Sequence, residues 1–196
     1  MNSTKLLRAI NFAICKHDGQ YRKGVADPYV THTIDVAMLL ISAGITDVDV
    51  LCAAVLHDTL EDTKTTFEEL RALFGERVAA LVSEVTDDKA LNKLERKKAQ
   101  IEHARTMSES AQNIKVGDKI SNCRKLRESP PPNWSEEMIT GYAVWSRAVV
   151  AAMPTPSTQL EDELFRVVDG ILGFEADGAE DKYQAILDRY YELCAA

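Results

Sequence analysis

The chain reads as an all-α protein on three observations. Apolar residues recur at intervals of three and four along almost its whole length, the period of helices that bury one face. Capping residues, glycines and prolines punctuate that pattern at helix-length intervals. No stretch shows the alternation of a half-buried strand, and no internal repeat or low-complexity tract is present.

Residues 4–17 place Leu6, Ile10, Ala13 and His17 on one face and stop at Asp18-Gly19. His17 reads as a metal ligand, as a support beside a site, or as a charge on the helix dipole, and the last two are favoured. Gly24 and Pro28 make residues 20–32 a loop. Its Arg22-Lys23 pair is either solvated or a contact for phosphate and base. A helix from about 31 to 43 follows, opened by His32 and stopped by Gly44, with Ile34, Met38 and Ile41 expected inward.

Residues 47–61 are expected as one largely buried helix. The run Val48-Asp49-Val50-Leu51-Cys52-Ala53-Ala54 has no Pro or Gly, and Ala and Leu favour helix. It leads into His57, Asp58, Glu61 and Asp62. His57 and Glu61 share one face; Asp58 and Asp62 share the next. A cation between the faces would draw an imidazole from one and a carboxylate from the other. Glu61 and Asp62 would lie about 5 Å further along the axis, suited to acid–base work on water beside the cation. A helix end frayed into solvent is the bland alternative. Against it, apolar packing should not deliver four ionisable groups that have no use, because unpaired buried charge is costly.

Thr66-Phe67-Glu68-Glu69 has the form of a capping box, and Leu70, Leu73 and Phe74 run on to a stop at Gly75. Val78, Leu81, Val82 and Val85 make the next stripe. The chain then turns basic, and on a helix Lys89, Lys93, Arg96 and Lys97 would share a face. Such a stripe is a solvated surface or, in so acidic a chain, the surface that a polyphosphate requires. In residues 114–126, Asp118 and Asn122 share one face, while Ile120, Cys123 and Leu126 point to the core. Gly117 costs a helix ~1 kcal/mol relative to Ala; its missing side chain would admit another helix or a ligand. Three prolines make 127–133 a loop. Residues 134–152 are helical again, and Tyr142 and Trp145 could be plain core aromatics. After Pro154 and Pro156, Thr158–Glu161 is expected as a second capping box. Leu160, Leu164, Val167, Val168, Ile171 and Leu172 then form an amphipathic helix, and a last helix spans about 180–193. That C-terminal pair could cover the core, form a homodimer contact, or act as a lid.

The 196 residues suit one domain with a sizeable core, and 45% hydrophobic with 28% charged residues is a soluble composition. Residues 1–7 hold no long apolar run, so neither a signal peptide nor a membrane span is expected. Cys15, Cys52, Cys123 and Cys194 are widely spaced without a Cys-x-x-Cys pair. They read as free thiols of a cytoplasmic protein. A formal charge of −8 argues against nucleic acid as partner, and an anionic substrate would need a basic pocket or a metal.

Together, His32, His57-Asp58 and Asp118 have the order H…HD…D, each from a separate helix or helix start. This resembles the signature of HD-domain phosphohydrolases. The likeness extends to Arg22-Lys23, Pro28-Tyr29-x-x-His32, His57-Asp58-Thr59-x-Glu61-Asp62, Val85-Thr86-Asp87-Asp88-Lys89, Lys93-Leu94-Glu95-Arg96-Lys97 and Asp118-Lys119-x-x-Asn122. These match the hydrolase domain of Rel/Spo homologues, in particular the stand-alone small alarmone hydrolases of the Mesh type. Trp134-Ser135 and Tyr142–Trp145 extend the match.

The resemblance covers about 5–155 and implies an HD-type helical hydrolase core there. The whole of 1–196 is expected as one such domain, with a C-terminal helical extension at about 157–196, set off by the Pro break, that has no counterpart in the family. The resemblance also implies one Mn2+ held by His32, His57, Asp58 and Asp118, and removal of the 3′-pyrophosphate from guanosine tetra- or pentaphosphate. Glu61 and Asp62 would be the catalytic acidic pair. Arg22, Lys23 and Asn122 would hold the nucleotide, with Lys89, Lys93 and Lys97 supplying further positive charge. Thr33 stands where the family commonly has Pro. The chain ends where bifunctional relatives continue into a synthetase domain, so hydrolysis alone is expected. Two other readings stay open: another nucleotide phosphohydrolase on the same site, such as an NADPH phosphatase, and a helical interaction module with a structural metal. The acidic pair beside an open ligand set speaks against the latter.

Overall fold

Eleven helices carry the regular structure of the computed structural model, which describes residues 2–24, 26–173 and 179–195. They are α1 (Asn2–Lys16), α2 (Val30–Ser42), α3 (Val48–Leu56), α4 (Thr59–Asp62), α5 (Phe67–Phe74) and α6 (Glu76–Val85). The second half has α7 (Lys93–Ala104), α8 (Glu109–Glu128), α9 (Glu136–Ala151), α10 (Thr158–Leu172) and α11 (Glu180–Ala195). Among the described residues the β pairing is a single bridge, Tyr21 to Pro28, which closes the loop bearing Arg22 and Lys23. The all-α expectation holds.

α8 is the axis of the fold. It packs against α2, α3, α6, α9 and α10, and its buried residues include Gln112, Asn113, Lys115, Lys119 and Ser121. Buried polar groups need partners, and these have them. Lys115 Nζ donates to the Val85 carbonyl at 2.7 Å, and Gln112 Nε2 to that of Met107 at 2.7 Å. Gln112 and Asn113 side-chain oxygens accept from the Thr155 and Ser157 amides at 3.0 and 2.8 Å, tying the Pro-rich break to α8. A helix enclosed on several sides shows no single apolar stripe, and α8 shows none.

Gly117 marks where α2 crosses α8. A Cβ there would stand 2.8 Å from Leu40 Cδ1 and 3.1 Å from Val36 Cγ1. The missing side chain admits a helix rather than a ligand.

Several expectations are corrected. In α2, Met38 and Ile41 are 55% and 41% exposed, while His32, Thr33, Val36, Ala37, Leu39 and Leu40 are buried. α2 is apolar nearly all round, so periodicity underdetermines its buried face, which packing on α3 and α8 selects. The helix expected over 47–61 breaks at His57-Asp58 into α3 and the single turn α4. There Thr59 Oγ1 donates to the Leu56 carbonyl at 2.7 Å. Thr66 caps α5 by accepting from the Glu69 amide, but the Glu69 carboxylate is paired with Lys16. α10 begins at Thr158 itself, after an N-cap Ser157 that makes no side-chain cap. The reciprocal capping box lies instead at Asn92 and Glu95. It starts α7 at Lys93 and leaves Lys89 in the preceding turn, off the basic face.

The C-terminal helices cover the core. Leu160, Leu164, Val167 and Val168 of α10 are buried on α8 and α9, and α11 packs on α9 and α7.

Candidate metal and nucleotide site

The first turn of α2, the α3–α4 break and the middle of α8 bring His32, His57, Asp58 and Asp118 together. His57 Nε2 is 3.0 Å from Asp58 Oδ2 and 3.9 Å from Asp118 Oδ1. His32 Nε2 is 3.2 Å from Asp118 Oδ1 and 3.7 Å from Asp58 Oδ2. Donors around one octahedral dication at about 2.1 Å stand roughly 3–4 Å apart. The break explains how neighbouring residues converge: a continuous helix would turn His57 and Asp58 to different faces.

Each donor is oriented from behind. His57 Nδ1 donates to the Ala54 carbonyl at 2.8 Å. That leaves Nε2 to face the carboxylates, 3.0 Å from Asp58 Oδ2, where it carries a proton in the absence of a cation and is free to bind one once that proton leaves. His32 Nδ1 meets Ser121 Oγ at 2.9 Å. The Tyr29 hydroxyl donates to Asp58 Oδ2 at 2.7 Å, and Asn122 Nδ2 to Asp118 Oδ1 at 2.6 Å. Such partners hold ligands in the geometry that a cation needs. His32, His57 and Asp118 offer ligand atoms within 4.8 Å of one another. Asp58 Oδ2, 3.0 Å from His57 Nε2, completes a mixed nitrogen and oxygen set that fits a divalent cation.

The electrostatics agree. Burial opposes charge on His57, but Asp58 and Asp118 outweigh it and raise its pKa to about 9. Burial lowers that of His32. Asp58 is held well below the carboxylate range against its burial, chiefly by His57, and Asp118 by Lys119 and the two imidazoles. The carboxylates are thus ionised, and a cation would displace the His57 proton.

Glu61 and Asp62 follow on α4. Glu61 Oε2 accepts from the Asp87 amide at 3.4 Å; burial and the Asp87 carboxylate raise its pKa. The Asp62 carboxylate is paired with Lys89 Nζ at 2.9 Å. Lys89 also donates to the Glu61 carbonyl. It therefore tethers the acidic pair and does not face the cleft described next.

That cleft, of about 430 Å3, is lined by Arg22, Lys23, Tyr29, Lys93, Arg96, Lys97, Asn122, Trp134 and Tyr142, among others. It adjoins the donor cluster through Tyr29 and Asn122. Arg22 Nη2 donates to Asn122 Oδ1 at 3.0 Å, so one relay runs from Arg22 through Asn122 to Asp118. Trp134, Tyr142 and Trp145 stand in a row, with ring centres 5.7 and 5.3 Å apart. Lys97 Nζ lies 3.5 Å from the Trp145 ring centre. Burial first, then the charge of Lys119, lowers its pKa to about 7.

His17 stands outside the donor cluster. Its Nδ1 meets Gln20 Oε1 at 2.8 Å and its ring lies 5.0 Å from that of Tyr29, which makes it a support for the loop. Sequence reasoning missed the Tyr29 hydroxyl, Ser121 and Lys119. Tyr29 had a signal, three residues before His32, one turn away at a helix start. Ser121 had none.

The chain matches the HD domain over residues 9–147, a span that contains all four donors. It belongs to the HD-domain family. Similar proteins include the guanosine-3′,5′-bis(diphosphate) 3′-pyrophosphohydrolase MESH1 of Homo sapiens, 46% identical over 164 residues, or 83% of this chain and 92% of that one. The protein of the same name from Xenopus tropicalis is 46% identical over 161 residues, 81% of this chain and 90% of its own. Among solved structures, a metazoan ortholog of SpoT that hydrolyzes ppGpp superposes with a TM-score of 0.81 at 42% identity, covering 85% of this chain and 94% of its own. In this HD-domain chain the matched span ends within α9, so α10 and α11 lie beyond it.

Proposed function

We propose that this HD-domain protein is a Mn2+-dependent guanosine 3′,5′-bis(diphosphate) 3′-pyrophosphohydrolase, releasing pyrophosphate and GDP or GTP. One observation carries the reading: the imidazoles of His32 and His57 and the carboxylates of Asp58 and Asp118 converge within 3.9 Å beside a basic cleft walled by aromatic rings. The relatives named for that activity, at 46% identity, support it.

His32, His57, Asp58 and Asp118 would hold the cation, and the mixed nitrogen and oxygen set suits Mn2+. The cation supplies Lewis acidity, acidifying water and offsetting phosphate charge. Glu61, its pKa raised by burial and by the Asp87 carboxylate, would be a stronger base toward water than a free carboxylate, and Asp62 beside it would help to orient that water. Arg22, Lys23, Lys93 and Lys97 supply the positive charge that lets a polyphosphate approach so many carboxylates. Tyr142 and Trp134 offer faces on which a purine can stack. Lys89 is assigned to the acidic pair instead of to the nucleotide. All eleven helices act as one hydrolase domain in this reading. Free Cys52, Cys123 and Cys194, all buried, support a reducing cytoplasm as its setting.

The test is incubation of Mn2+-loaded protein with ppGpp, pppGpp and NADPH, scoring pyrophosphate against orthophosphate. Pyrophosphate from the guanosine substrates is expected. Orthophosphate from NADPH alone would move the assignment to a phosphatase, and no turnover with full metal occupancy would make the metal structural.

A further inference from the structure

The nucleotide cleft has a wall outside the HD-domain match. Tyr190 of α11 lines the cleft floor and is 1% exposed. It is seated on Gly141 of α9, where a Cβ would stand 2.6 Å from Tyr190 Cβ and 2.7 Å from its ring. Only glycine leaves that seat open. The Tyr190 ring lies 6.3 Å from that of Trp145. Trp145 in turn donates its indole N–H to the Lys97 carbonyl at 2.9 Å and carries the Lys97 ammonium on its face. One residue on, the Tyr191 ring lies 5.3 Å from Lys98 Nζ. Arg189 reaches Glu137 of α9 at 3.2 and 3.3 Å. α11 is thus fastened to α9 and to α7, the helix of Lys93, Arg96 and Lys97. The cation donors stand elsewhere, on α2, the α3–α4 break and α8.

We propose that α11 is a working part of the nucleotide-binding site, with Tyr190 as a positioning residue that backs Trp145 and so holds Lys97 and the basic face of α7 toward the phosphates of a guanosine polyphosphate. The inference rests on the activity assigned above. A filled space behind Trp145 leaves that ring one position, and the ring bears Lys97 through both its N–H and its face. Without Tyr190 the ring can retreat and α7 loses its backing. The donor cluster meets the same ring through Lys119, 4.2 Å from the ring centre and 3.3 Å from Asp118, but Asp118 keeps its bonds to Asn122 and His32. Binding is then damaged selectively, as expected of a group acting equally on ground and transition state.

The experiment compares the full-length, Mn2+-loaded parent with Tyr190→Leu and Tyr190→Phe. It measures metal content, thermal midpoint, steady-state kinetics on ppGpp, and equilibrium binding of GDP, which keeps the base and the 5′-diphosphate. For Tyr190→Leu the expected result is full metal content, kcat within about threefold, and KM and the GDP Kd raised about tenfold or more. Tyr190→Phe, which keeps the ring, should stay within about twofold of the parent. An unchanged KM and Kd in Tyr190→Leu overturns the proposal, as does a joint loss of kcat and metal, which would mark Tyr190 as general core. If Tyr190→Leu does not fold, the double variant Arg189→Ala, Tyr191→Leu loosens α11 from its outer side. A threefold or larger rise in KM is expected there, and an unchanged KM refutes the role of α11. A parent that binds GDP but releases no pyrophosphate sinks the activity assignment and leaves the GDP titrations to decide on α11. A parent that neither binds nor hydrolyses sinks both.

Discussion

At the scale of single residues, the proposed division of labour between cation donors and acid pair rests on position. His57 and Asp58 reach into the cluster from the break, while Glu61 and Asp62 lie on the next turn, engaged by the Asp87 amide and by Lys89. Changing Glu61→Gln together with Asp62→Asn keeps shape and removes basicity. The double variant should retain Mn2+ and bind nucleotide, yet lose turnover by a factor on the order of 10²–10⁴, the usual contribution of a positioned acid or base. Elemental analysis beside kinetics checks this; loss of metal would make the pair ligands. Lys97 carries a second prediction. With its pKa lowered to about 7 in the free cleft, it is largely neutral at pH 8. A bound polyphosphate would restore its charge, raising the pKa toward the ordinary value of about 10.4. Binding then takes up a proton above pH 7. Affinity should be flat just below pH 7 and fall as pH rises above it, by up to about tenfold per unit. Lys97→Met should abolish that slope, and a parent KM independent of pH from 7 to 9 would rule the effect out.

Helices place these residues, and the spacing of α2 from α8 sets the 3.2 Å approach of His32 to Asp118. Gly117 permits that spacing, with Leu40 and Val36 packed into its missing side chain. In Gly117→Ala, overpacking of ~1–3 kcal/mol opposes the ~1 kcal/mol that alanine gains in a helix. Because Leu40 and Val36 are themselves fully buried, overpacking should win. The thermal midpoint should drop by a few degrees, and Mn2+ affinity should weaken because α2 is pushed away. Calorimetry with a metal titration tests both; parental values in each would show that the crossing tolerates a methyl group. α4 makes the same point on a shorter length: one helical turn after a break aims its side chains where a continuous helix could not.

Across the whole molecule the charge is unevenly spread. A net −8 resides on a chain that gathers Arg22, Lys23, Lys93, Arg96, Lys97 and Lys125 around one cleft. Distant carboxylates repel a polyanion while the cleft attracts it at close range. Salt screens both effects, with a Debye length of about 10 Å at 0.1 M, but the close contacts set the bound state. KM for ppGpp should therefore rise with ionic strength while kcat changes little. A KM constant between 0.05 and 0.5 M salt would exclude charge as the main source of affinity.

The all-helical class and the order of the helices were legible from residue order alone, because period and caps are local properties. So was the basic character of α7. The candidate donors His32, His57, Asp58 and Asp118 came from the likeness to HD-domain sequences, and the fold brings them together. Local pattern could not choose the buried face of α2, since a helix apolar all round offers several and only its neighbours α3 and α8 select one. Nor did it show the break at His57-Asp58, where the His57 and Thr59 side chains bond the Ala54 and Leu56 carbonyls and interrupt the run before them. Lys89 left the basic face because a capping box starts α7 four residues later. Tyr190 entered the cleft because Gly141, far from it in sequence, leaves room for its ring. The buried face of α2 and the seat of Tyr190 depend on contacts between distant segments, which have no period to read, whereas the Asn92–Glu95 box is a local signal that the sequence carried.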